Sequence, residues 1–179
     1  FHTPSLRKFK KNTQLLFPDL PQRGFEDYVI KEDYNYATLD ILKWKEIAPD
    51  FNILSIPLWN DDSILLIDTK TTFIININDA KPSKIILNWI RKLSKVNNKR
   101  TVLLSSYSPA SIVNSFRKSG KELSIKSKED YVNYISSVCN TLNVEYFIPF
   151  ASQVIFRRED SKWANQHKVT YHDLKKFWK

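Results

Sequence analysis

The sequence predicts a layered α/β fold in which helices cover β-sheet, and three observations predict it. Four β-type runs follow one another closely between Tyr36 and Asn78, helices and strands alternate after Ser83, and apolar residues make up 42% of the 179 positions. Strands in series followed by alternating helix and strand describe sheets that helices cover. That length suits one core, so 1–179 reads as a single domain.

The elements follow in order. Thr3-Pro4-Ser5 sets a cap and a proline suited to a first helical position, predicting a short helix toward Lys10. Gln14 to Phe17 reads as a strand stopped by Pro18, and Gly24 to Ile30 as a helical turn. Tyr36–Trp44, Phe51–Leu58, Ser63–Asp68 and Thr72–Asn78 read as strands, and their short polar connections predict antiparallel neighbours. From Ser83 to Val96, Ile86, Trp89, Ile90 and Leu93 fall at helical spacing, with Lys84, Asn88, Arg91 and Lys92 outward.

Thr101–Ser105 is then a buried strand, and Ser108-Pro109 opens a helix through Ile112, Val113 and Phe116 to Gly120. Ser127 to Leu142 carries the stripe Tyr131, Tyr134, Ile135, Val138 and Leu142. Cys139 lies beside that stripe and reads as a buried structural thiol. Glu145–Phe150 and Val154–Phe156 read as strands. Thr170–Lys179 reads as a capped helix with Leu174 and Phe177 or Trp178 inward.

Composition removes several function classes. There are two glycines, too few for most phosphate-cradling loops, and neither a two-histidine metalloprotease helix nor paired CxxC sites occur. A single cysteine excludes an internal disulfide and favours a reducing, cytoplasmic compartment. Apolar runs such as Ile64-Leu65-Leu66-Ile67 are far shorter than the roughly 20 residues of a membrane span. The chain opens at Phe1 and has no methionine, which predicts a piece of a longer translation product.

The 28 Lys and Arg against 19 Asp and Glu leave a net charge of +9. Such a balance suits an anionic partner or simple solubility. Basic groups at Lys8, Lys10 and Lys11, at Lys95, Lys99 and Arg100, and at Lys175, Lys176 and Lys179 are candidates for phosphate contacts, with Trp163, Tyr171 or Trp178 to stack bases. They are scattered along the chain and the aromatic residues sit mostly at core spacing, so nucleic acid ranks below the other partners.

Asp62-Ser63-Ile64-Leu65-Leu66-Ile67, followed by Thr72-Phe73-Ile74-Ile75-Asn76-Ile77-Asn78-Asp79-Ala80, resembles a paired-strand element of metallo-β-lactamase-fold proteins. The similarity is to the branch containing CMP-N-acetylneuraminate hydroxylase and its bacterial relatives. Thr3-Pro4-Ser5-Leu6-Arg7-Lys8 resembles the segment after that family's HxHxDH motif. Pro149-Phe150-Ala151-Ser152, with Phe156 and Asn165, resembles its PFAS strand and the segment that trails it. These matches are collinear along most of the chain. They imply a layered αββα-type sandwich, incomplete at the N-terminus, with HxHxDH upstream of Phe1.

The resemblance implies a divalent metal centre (zinc, iron or manganese), with Asp79 as its bridging carboxylate and His2 just beyond the missing motif. Asp79 also fits that role by position, because α/β sites gather at the carboxyl ends of strands; the alternative is a helix cap or turn residue. His167 and His172, five apart at the start of the last helix, read as surface residues rather than ligands. Arg157 and Arg158 would follow a central strand and hold a substrate carboxylate or phosphate, or else form surface ion pairs with Glu159 and Asp160. Ser106, within Ser105-Ser106-Tyr107-Ser108, would wall the same pocket.

Three functions follow. The first is a metal-dependent hydrolase, or a diiron oxygenase, acting on an anionic small molecule or phosphate-containing substrate. The second is a non-catalytic metallo-β-lactamase-like subunit or scaffold, in an oligomer or beside a missing N-terminal segment. The third is a basic nucleic-acid binder.

Overall fold

The computed structural model describes residues 3–19, 24–58, 62–96, 98–110, 117–118, 121–122, 127–152 and 154–178. The fold is mixed α/β. One six-stranded mixed sheet has the order β10-β7-β6-β5-β4-β3, and two strand pairs stand apart from it, β1-β2 and β8-β9. In chain order β1 is Leu15–Pro18, β2 Tyr36–Leu39, β3 Lys45–Ala48, β4 Phe51–Pro57 and β5 Ser63–Thr69. They are followed by β6 Thr72–Asn78, β7 Arg100–Ser105, β8 Arg117–Lys118, β9 Lys121–Glu122 and β10 Tyr146–Pro149. The helices are α1 Thr3–Leu6, α2 Gly24–Lys31, α3 Lys84–Lys95, α4 Lys128–Leu142 and α5 Tyr171–Phe177, with a 3₁₀ turn at Lys162–His167. The chain divides into two compact units, Phe1–Lys70 and Thr71–Lys179.

In the first unit, β4 pairs antiparallel with both β3 and β5. Ile53, Leu54, Ser55 and Ile56 of β4 are all buried, so this strand is covered on both faces, whereas all four residues of β3 are exposed. The run Tyr36–Trp44 is not one antiparallel strand. Its first half, β2, pairs parallel with β1 in register Leu15↔Tyr36 to Pro18↔Leu39. Phe17 stacks on Tyr36 at 5.5 Å between ring centroids and meets the edge of Phe25 on α2 at 5.3 Å. Leu42, at φ 57, breaks the extended path behind β2, and only Ile41 makes an isolated bridge to Ser55. Pro18 belongs to β1 instead of stopping it, and α1 ends at Leu6, short of Lys10.

The second unit is built from strand-helix-strand crossovers. β6 and β7 are parallel, as are β7 and β10, and α3 lies in the sequence between β6 and β7. Ser83 caps α3, its Oγ accepting from the Ile86 amide at 3.4 Å. Ser127 and Asp130 form a reciprocal capping box at the start of α4, and Thr170 and Asp173 form another on α5. Ile75 and Leu103 are fully buried in β6 and β7, with Ile90 of α3 and Leu142 of α4. α4 packs against both α3 and α5.

The buried stripes are turned slightly from those expected. α3 buries Leu87, Ile90 and Ser94, leaving Ile86, Trp89 and Leu93 half-buried. α4 buries Val132, Ile135, Val138, Cys139 and Leu142, while Tyr134 stays exposed. Cys139 is the buried thiol expected, and burial pushes its pKa up to about 12.

Two other expectations are corrected. Val154–Phe156 is not a strand: the Asn165 side chain takes both backbone groups of Phe156, accepting its N–H at 2.9 Å and donating to its carbonyl at 2.8 Å. An amide side chain thus supplies the pairing that a neighbouring strand would have given. The helix expected from Ser108 does not run on to Gly120, because Arg117–Lys118 pairs antiparallel with Lys121–Glu122. Ile112, Val113, Phe116 and Gly120 lie outside the described residues.

Candidate functional site

Parallel strands place their carboxyl ends on one edge, and here that edge collects Asn78-Asp79, Ser105-Ser106 and Phe150-Ala151-Ser152. The three ends are joined directly. The Ser106 amide donates to the Asn78 carbonyl at 2.6 Å, and the Phe150 amide donates to the Ser105 carbonyl at 3.0 Å. The buried Ser152 Oγ accepts from the Tyr107 amide at 3.0 Å. Ser108, also buried, accepts through Oγ from the Val169 amide at 2.9 Å, and the Tyr107 ring stacks on Tyr171 at 5.7 Å.

The chain turns sharply at two of these ends. Asn78 stands at φ 54 in the left-handed region, and its amide donates to the Asn76 Oδ1 at 3.1 Å. Asparagine tolerates that conformation because its side chain bonds locally. Ala151 also stands at φ 54, where alanine has no such compensation and a cost of about 1–2 kcal/mol applies. Strained backbone of this kind persists where surrounding contacts over-determine it, and it clusters at functional sites. Sequence reading missed Ala151, since nothing in an Ala-Ser pair signals a positive φ.

The left-handed turn at Asn78 carries Asp79 out of the strand. Asp79 is exposed and makes no hydrogen bond or ion pair among the described residues. It does not cap α3, because Ser83 does. It is a turn carboxylate beside Ser106, which is half-buried. Such an edge offers one anionic oxygen ligand or proton acceptor next to hydroxyl and backbone groups.

The other candidates are less concentrated. Arg157 and Arg158 are exposed in an irregular segment, and the Arg158 guanidinium pairs with Asp160 at 2.7 Å. Lys162 pairs with Glu159 in the same loop. Neither arginine bonds to Asp79 or Ser106 among the described residues. His167 lies half-buried with its ring edge toward Trp163 at 6.1 Å, and His172 is exposed on α5. His2 lies outside the described residues. Among the described residues no group of three or more His, Cys, Asp and Glu could hold a metal ion. A catalytic zinc takes about three protein ligands, so the described donor set, with Asp79 alone at the edge, does not make a metal centre.

No described helix is long and apolar enough to cross a membrane. No family model matches the chain. A search of curated proteins likewise finds no match.

Proposed function

We propose that the carboxyl edge of β6, β7 and β10 is the substrate side of a metal-dependent hydrolase of the metallo-β-lactamase type. Its substrate is an anionic small molecule or a phosphate-containing one. Asp79 supplies a carboxylate ligand, and His2 belongs to the same metal reading. The observation that carries this reading is the exposed Asp79, delivered by a left-handed Asn78 to an edge where three strand ends converge. The αββα sandwich belongs to the same reading, as does a role for Arg157 and Arg158 in holding the substrate's charge.

Asp79→Asn tests it, because the replacement keeps shape and removes charge. In the full-length protein, elemental analysis should show loss of at least one metal per chain, with unchanged melting temperature and lost hydrolysis. Full metal content and activity in Asp79→Asn would sink the proposal. A second reading, a non-catalytic subunit of the same architecture, is favoured by the lack of a metal-holding group among the described residues. It predicts no bound metal in the native protein and the same partner binding in Asp79→Asn as in wild type.

A further inference from the structure

We draw no further inference here: the strongest candidate, the solvent-facing apolar border of the sheet at β3, formed by Ile41, Leu42, Trp44, Ile47 and Phe51, carries nothing because nothing in the structure shows what covers it.

Discussion

The antiparallel run β3-β4-β5 and the parallel run β6-β7-β10 use strands of similar length to different ends. In the first, short connections return the chain at once, so each edge holds one strand's beginning beside another's end. In the second, every return needs a crossover, and all three carboxyl ends fall on one edge. Asn78, Ser105 and Pro149 therefore end as neighbours though far apart in sequence. The parallel run can assemble a site from unrelated segments, while β3, with every residue exposed, closes a border and gathers nothing.

The largest test of this contrast compares the two runs by truncation. Ile75→Ala in β6, where the side chain is fully buried, should cost about 2–5 kcal/mol in denaturant unfolding. Ile47→Ala in β3, at 43% exposed, should cost under about 1 kcal/mol. Comparable losses would mean that β3 is covered in solution, and the contrast would fail.

A smaller effect probes how the helices of the parallel half are fixed. Lys128, at the start of α4, pairs with Asp173 of α5 at 3.1 Å, and Asp173 also accepts from the Thr170 amide and hydroxyl, each at 2.8 Å. Burial alone would raise the Asp173 pKa, but the Thr170 bonds and the Lys128 charge outweigh it and hold the carboxyl below its usual range. A folded pKa below the unfolded one gives stability that is complete above the unfolded value of about 3.9 and lost as pH falls through the folded value. Asp173→Asn should accordingly cost about 1–2 kcal/mol at neutral pH, with the difference from wild type vanishing under strong acid. A pH-independent difference would remove the charge from the account.

The smallest expected effect sharpens the strain at the edge. Ala151→Gly releases a left-handed alanine and should stabilise the protein by about 1 kcal/mol, read as a rise in melting temperature. If the constraint serves ligand binding, affinity at the edge falls in the same variant. Unchanged stability would show that the turn costs nothing.

Legibility in the sequence followed the same division. β6 was read from Thr72 to Asn78 and found at those bounds, since alternating Phe73, Ile75 and Ile77 met turn residues at both ends. Apolar residues at helical spacing located the helices after Ser83 and Ser127, and a cap at Thr170 located the last one; the capping roles of Ser83 and Ser127 came from the structure. Tyr36–Trp44 misled because its apolar residues run on past Leu39, while the break depends on a left-handed Leu42 that no residue preference announces. The exposed place of Asp79 at the end of a buried strand was legible from the strand before it. The left-handed turn at Ala151 was not.

The two serine hydroxyls behind the carboxyl edge also set an order of events. Tyr107 waits for Ser152, 45 positions later, and Ser108 for Val169, 61 positions later. On a ribosome the chain emerges from its N-terminus, so β6, α3 and β7 can pair long before either partner exists. Closing such distant loops comes late because their entropy must be spent before any contact rewards it. The edge that gathers Asp79 and Ser106 thus closes in two late steps, and a chain halted before Val169 would hold the Tyr107–Ser152 bond without the Ser108–Val169 one.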